Sequence, residues 1–207
     1  MKTCFLSGGP IKPLSASNAY TRREIEQILT LAHDNELKVI PLIQTFGHLE
    51  FGLKLPEFAK LREVAQHPQA LCPSKNGSRE LIQNMVDQVM TLHKTSHWLH
   101  IGCDEVYQLG QCSSCIQRLR NHDKNWIFLQ HVKWVAEYVK KTHKVQPIIW
   151  DDMLRTVSER DLQEHLGDGL VEPMVWVYVS HVERFVDPTV WRKFSRVFST
   201  VWGAGAF

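Results

Sequence analysis

Leu37-Lys38-Val39-Ile40-Pro41-Leu42-Ile43-Gln44 is a short, nearly continuous apolar run rich in branched side chains, the pattern of a strand buried on both faces in a parallel sheet. The run stops at Gly47-His48. Just before it the period is different. Thr21 followed by Glu24 is a capping-box pattern, and Ile25, Ile28, Leu29 and Ala32 fall at i, i+3, i+4 and i+7, which predicts a helix ending near Asn35. Downstream the alternation continues. Helical spacing predicts helices over about 56–66, over 79–93 through Leu81, Ile82, Met85, Val86 and Val89, over 124–142 through Leu129, Val132, Ala136 and Val139, and near 158–166 and 181–193. Between them, strands are expected at Trp98–Ile101, Val145–Trp150, Leu170–Trp176 and Arg196–Trp202.

Five buried strands, each separated by a helix, indicate an α/β fold with a parallel sheet, and the regular repeat favours a (β/α)8 TIM-barrel type that is incomplete in this chain. An open doubly wound sheet would also accommodate five strands, but no Gly-rich turn follows the first of them. Residues 1–20 are rich in Gly, Pro, Ser and Lys without an apolar period and read as an irregular, loosely attached arm. Residues 21–207 are then the partial barrel. The 207 residues, 43% hydrophobic and 22% charged, suit one packed domain rather than a disordered chain. Twenty-four Lys and Arg against 22 Asp and Glu leave a net charge of +2, with the signs interspersed, so no footprint for nucleic acid or an anionic membrane surface is present. No stretch is long and apolar enough for a membrane span, and the first residues lack the apolar core of a signal peptide. Five cysteines at irregular spacing point away from a disulfide framework and toward a cytoplasmic or nuclear setting.

In either α/β architecture chemistry sits at the carboxyl ends of the strands. Those ends are Gln44-Thr45-Phe46-Gly47-His48, Cys103-Asp104-Glu105, Trp150-Asp151-Asp152, Trp176-Val177-Tyr178 and Trp202-Gly203. Asp104-Glu105 is the sharpest feature. Two adjacent carboxylates at a strand end could hold one proton for general acid catalysis while the other remains an anion. They could equally bind a metal with His48, His100 and Asp151, as in a metal-dependent barrel hydrolase, although no HxH or HExxH spacing is present. Cys112-Ser113-Ser114-Cys115 has the spacing of half a zinc site and no second pair; no metal or cofactor is expected there.

His100-Ile101-Gly102-Cys103-Asp104-Glu105 resembles the His-x-Gly-Gly-Asp-Glu signature of the β-N-acetylhexosaminidases of glycoside hydrolase family 20, and Phe46-Gly47-His48 resembles the Gly-His that ends the preceding strand in that family. The likeness runs from about Ala19 to Phe207 and leaves residues 1–18 outside it. It implies that strands 3 to 7 of the barrel are present. It also implies hydrolysis of a terminal β-linked N-acetylhexosamine, GalNAc or GlcNAc, on a glycan or glycoconjugate, by substrate-assisted retaining catalysis. Glu105 would be the acid/base and Asp104 the anion that holds the acetamido group. Trp150, Trp176 and Trp202 would wall the sugar, while His48, His100 and Asp151 would bind or orient it. Cys103 departs from the pattern, standing where the family has its second Gly. A partial barrel leaves two sheet edges unpaired, so a homodimer that covers them, or a truncated and catalytically incompetent fragment, is the other expectation.

Overall fold

Thr21 closes the expected capping box: its Oγ1 accepts from Glu24 N at 3.2 Å, and Glu24 Oε2 accepts from Thr21 N at 2.7 Å. Two orphan donors are thereby satisfied at the start of α1 (Arg22–Asp34). The computed structural model describes residues 9–205; residues 1–8 of the expected arm and 206–207 at the end of the expected barrel lie outside the described residues. Within 9–20 the arm is irregular but not loose. A 3-10 turn at Lys12–Leu14 buries Ile11 and Leu14 in the main core, and Leu14 lies so close to Gly52 that a Cβ there would meet it at 2.9 Å.

Three expectations are corrected in the first third of the chain. Of the predicted α1 face only Ile25 is buried, and Ile28 stays 47% exposed. The stretch 37–44 is not a doubly buried strand. Leu37 is 65% exposed, and the segment's ladder contact with the sheet is the isolated Leu42–His100 bridge, through Ile43 N to His100 O and His100 N to Pro41 O, both 2.9 Å. Pro41 has no N–H to extend a ladder, and one face of an edge segment has no neighbour to bury it. Residues 56–66 are not a helix either. After α2 (Glu50–Leu53) the chain makes a 3-10 turn and then an antiparallel hairpin of β1 (Arg62–Val64) and β2 (His67–Leu71). Arg62 pins it by donating to Leu53 O at 2.7 Å and Ala65 O at 2.8 Å. Tertiary hydrogen bonding overrides the helix propensity of Leu-Arg-Glu.

From there the alternation is regular: α3 (Ser78–Leu92), β3 (Trp98–His100), α4 (Ser113–Arg118), α5 (Lys124–His143), β4 (Gln146–Trp150), α6 (Glu159–Leu166), β5 (Glu172–Trp176), α7 (Pro188–Val197) and β6 (Trp202–Ala204). The last helix begins later than the period suggested, because Asp187 caps it through Thr189 N and Pro188 occupies its first turn. Arg196 and Val197 consequently end α7 instead of starting a strand. β3, β4, β5 and β6 pair in parallel and in chain order. A doubly wound sheet reverses its order at a switch point; an order without reversal is the arc of a barrel. The fold is α/β, an incomplete (β/α)8 TIM-barrel type.

Strand parity divides the sheet into two faces. Leu99, Ile101, Ile149 and Val175, none more than 2% exposed, pack into one core with Val86 and Val89 of α3 and Val132, Val135 and Val139 of α5. Each such side chain contributes about 1.5–3 kcal/mol through burial. The opposite face presents Trp98, His100, Trp150 and Trp176.

His131 is part of the helical layer. Its ring lies 4.2 Å from that of Phe46, and Nε2 donates to Thr45 O at 2.9 Å. Burial depresses its pKa from 6.5 to about 4. The unfolded chain therefore takes up a proton near pH 6.5 that the folded chain refuses until about pH 4, so this group's contribution is complete above pH 6.5 and is lost as pH falls. Denaturant unfolding at pH 7 and pH 4 should show a decline that His131→Gln, which retains a donor for Thr45, reduces by roughly 3 kcal/mol. An unchanged decline would mean that His131 titrates alike in both states.

Candidate active site

Four residues of the two segments that meet at the sheet's carboxyl end have positive φ: His48 (+52°), Gly102 (+69°), Cys103 (+69°) and Glu105 (+51°). Three of them are not glycine, and each left-handed L-residue costs about 1–2 kcal/mol. Strain of this kind persists only where the surroundings impose it. Here the two segments approach closely, backbone to backbone at Gly47 and side chain to backbone at Gly102. A Cβ on Gly102 would meet Gln44 Oε1 at 2.0 Å, and one on Gly47 would meet the Asp104 carbonyl oxygen at 2.4 Å. The departure at Cys103 falls on a backbone conformation that favours glycine. Its side chain is fully buried, with Sγ 3.2 Å from Thr45 Oγ1, and burial pushes the thiol up to about 12.

The turn aims both carboxylates at His48, whose Nε2 lies 3.3 Å from Asp104 Oδ2 and 3.1 Å from Glu105 Oε2. Gln44 fixes the other side of Asp104, donating from Nε2 to Oδ1 at 2.8 Å while its Oε1 accepts from Cys103 N at 3.2 Å. Glu105 is held from the neighbouring strand end. Its N–H donates to Asp152 Oδ2 at 2.9 Å, and Trp176 Nε1 donates to Asp152 Oδ1 at 3.2 Å. Burial raises the Asp152 pKa against the pull of these two donors. The Asp104 side chain is 15% exposed and that of Glu105 37%, so Glu105 is the more open of the pair. Beside it a cavity of about 260 Å³ is lined by His48, Glu50, Gln69, Glu105, Tyr107 and Gln108. Tyr107 is raised in pKa first by desolvation and then by the neighbouring carboxylates. A larger cavity of about 410 Å³, between Arg155 and α7, lies among the outer helices away from the carboxylate pair.

The expected site residues divide into two groups. Asp104, Glu105 and His48 come together. Trp150 and Trp176 end β4 and β5, and Trp150 covers His100 with ring centroids 4.2 Å apart. His100 is 3% exposed and accepts from Gly102 N at Nδ1, and burial lowers its pKa to about 3. It is a neutral ring whose Nε2 has no hydrogen-bond partner among the described residues. Asp151 is turned away from the cavity. It is fully buried, takes a two-pronged ion pair from Arg155 at 2.6 and 2.8 Å, and accepts from Trp176 N at 3.2 Å, which locks the end of β4 to that of β5. Its neighbour Asp152 faces the carboxylate pair instead. Trp202 is also elsewhere. It begins β6, stacks edge-on against Trp98 at 5.7 Å and donates to Glu172 at 2.6 Å; Trp98 and Glu172 begin β3 and β5, so this cluster marks the amino end of the sheet.

Sequence reasoning did not single out Gln44, Asp152, Tyr107 or Gln108. Gln44 and Asp152 stand at strand ends, where they were visible as candidates. Tyr107 and Gln108 lie beyond the last strand residue, where parity gives no orientation.

Comparison with known proteins bears on the family and the fold. The pattern of the glycosyl hydrolase family 20 catalytic domain matches residues 8–184, so the likeness begins earlier than residue 19. Hexosaminidase D of Bos taurus is 42% identical over 203 residues, covering 96% of this chain and 59% of its own length. Hexosaminidase D of Homo sapiens is also 42% identical over 203 residues, with 96% of this chain and 42% of its own length covered. The chain thus spans about half the length of these relatives. Among solved structures, the β-N-acetylhexosaminidase of Bacteroides fragilis superposes with a TM-score of 0.69 at 21% identity over 93% of this chain and 37% of that one, a likeness of fold. Fold, order of motifs and sequence agree, and the chain belongs to glycosyl hydrolase family 20.

Proposed function

We propose that the chain hydrolyses terminal β-linked N-acetylhexosamine, GalNAc or GlcNAc, from a glycan or glycoconjugate, with the substrate's own acetamido group as nucleophile. The observation that carries this reading is the pair Asp104-Glu105 held on one histidine with unequal exposure. Glu105, the open member, donates a proton to the leaving oxygen as the glycosidic C–O bond breaks, while the acetamido oxygen forms a bond to the anomeric carbon. Asp104, held by Gln44 and His48, keeps free lone pairs for the acetamido N–H. It stabilises the positive charge that develops on the resulting oxazolinium ring. Water then attacks the anomeric carbon, Glu105 takes its proton, and the ring opens to restore the acetamide. Trp150 and Trp176 supply the aromatic wall, and Trp202 does not take part. Family likeness and the names of the relatives support the reaction class. The free thiols Cys72, Cys103, Cys112 and Cys115 suit a reducing compartment, cytoplasm or nucleus.

Two measurements test the scheme. Glu105→Gln should lower kcat on a substrate with a poor leaving group by about 10²-fold or more, and should do less harm with an activated aryl glycoside that leaves unprotonated. Equal loss on both substrates would deny Glu105 the acid role. A thiazoline that mimics the oxazolinium ion should raise the thermal midpoint of the wild-type chain by binding the native state, and Asp104→Asn should abolish that rise. A cooperative melt indifferent to the thiazoline would favour a fragment without a working pocket.

A further inference from the structure

Cys112-Ser113-Ser114-Cys115 lacks a second half in the sequence, and the fold supplies one. Cys72 follows β2, Glu63 lies in β1, and Cys112 and Cys115 open α4. Cys72 Sγ is 3.2 Å from Cys112 Sγ and 3.6 Å from Cys115 Sγ, and Cys115 Sγ is 3.3 Å from Glu63 Oε2. One ligand atom from each of the four residues lies within 4.8 Å of all the others. We propose that Glu63, Cys72, Cys112 and Cys115 form a structural zinc site, separate from the carboxylate pair and independent of the proposed reaction.

Geometry and donor type both favour zinc. Zn–S bonds of about 2.3 Å in a tetrahedron set the sulfurs about 3.8 Å apart; the 3.6 Å pair is near that spacing already, and the 3.2 Å pair has only to open. Three thiolates and a carboxylate are a closed set for a borderline-soft ion and offer little to magnesium or calcium. Glu63 is oriented as a one-oxygen ligand. Its Oε1 is occupied by the N–H groups of Gln111 at 2.7 Å and Cys112 at 3.0 Å, which leaves Oε2 turned to the sulfurs. The carboxylate is 2% exposed and, among the described residues, has no ion pair with a Lys, Arg or His. Burying an unpaired charge is costly, and a bound cation removes that cost. On binding, three thiols release their protons to solvent and the ion gains three thiolates and one carboxylate. The surplus negative charge is met by donors on the spot. Cys115 N donates to Cys112 Sγ at 3.3 Å, and Ser74 Oγ lies 3.3 Å from Cys115 Sγ with Arg118 donating to that hydroxyl at 2.9 Å.

The site would clamp the β1–β2 hairpin, which brings Gln69 to the cavity, onto the loop that carries Tyr107 and Gln108 away from Glu105. It thereby fixes two walls of the cavity without touching the reacting atoms.

The test uses the whole chain, purified under reductant, equilibrated with zinc and freed of excess. One equivalent of zinc should remain per chain by elemental analysis. Replacement by cobalt should give a thiolate charge-transfer band in the near ultraviolet and tetrahedral d–d bands in the red. Cys72→Ser and Cys112→Ser should each lose the retained equivalent, whereas Glu63→Gln should keep the thiolate band and shift the d–d bands. Wild-type unfolding should move to higher temperature with zinc and to lower temperature with a chelator; a chain that melts cooperatively only with zinc supports the site equally. A wild-type chain that melts cooperatively, retains no zinc and shows no thiolate–cobalt band overturns it, as does a disulfide among these cysteines that survives in place of the metal. None of these readouts depends on turnover, so failure here and failure of the hydrolase reading are distinguishable.

Discussion

The segments 44–48 and 101–105 run so close together that neither Gly47 nor Gly102 has free room for a Cβ, and the geometry of the site depends on that approach. Gly102 yields to Gln44, and Gly47 yields to the Asp104 carbonyl. Thr45 fastens the same seam, its hydroxyl donating to Ile101 O at 2.8 Å while its carbonyl accepts from His131. Because His131 belongs to α5, the outer helical layer reaches through the sheet end to the turn that carries the carboxylates. Core packing and chemistry are thus joined by a few short hydrogen bonds. A side chain on Gly47 would meet the Asp104 backbone and force the seam open, while one on Gly102 would push aside the Gln44 amide that holds Asp104.

The second support comes from the opposite side. Asp152 accepts the Glu105 N–H and the Trp176 indole N–H, so Glu105 is fixed between its own strand end and that of β4. Asp151, directly before it, is used up in holding Arg155 and the backbone of Trp176. Adjacent acids therefore perform different tasks: the first secures the β4–β5 junction and the second carries that rigidity to Glu105. Burying Asp152 beside the Asp104-Glu105 pair is a costly arrangement: its pKa is raised first by desolvation, and the like charges of Asp104 and Asp151 add to the rise. Such local conflict is expected where a fold is shaped for chemistry rather than for stability.

What could be read from the sequence follows burial. β3, β4 and β5 were legible because each is a short, mostly apolar or aromatic run between helical segments, and α5 because its buried face repeats with helical period. Residues 37–44 carry the same apolar signal without the neighbours that would make it a strand. The hairpin at 62–71 was hidden by residues with good helix propensity, whose conformation is set by distant partners of Arg62 and Glu63. At strand ends the period of two fails. Beyond Trp150 the chain turns into a 3-10 helix at Asp152–Leu154, so alternation could not tell which of Asp151 and Asp152 faces the site. Trp202 misled for a related reason: the expected strand ended where the actual strand begins. Cys72 stands forty residues from Cys112, a separation across which no local spacing is informative.

Cys103 shows how a departure from a family pattern is absorbed locally. A glycine there would adopt φ of +69° without penalty, while cysteine pays the cost of a left-handed L-residue. In return its side chain fills space at the seam, with no exposed surface and with sulfur against Thr45 Oγ1 and Ile101 O. Burial of that volume and the contact with Thr45 oppose the backbone cost, and both act on the segment that must hold Asp104 in place. The thiol stays protonated, since burial pushes it up to about 12, so it adds no further negative charge to a site already crowded with carboxylates. A larger or ionised side chain at this position would fail on one of these two counts. Among ordinary side chains a small, neutral and weakly polar one satisfies both, and cysteine is such a residue.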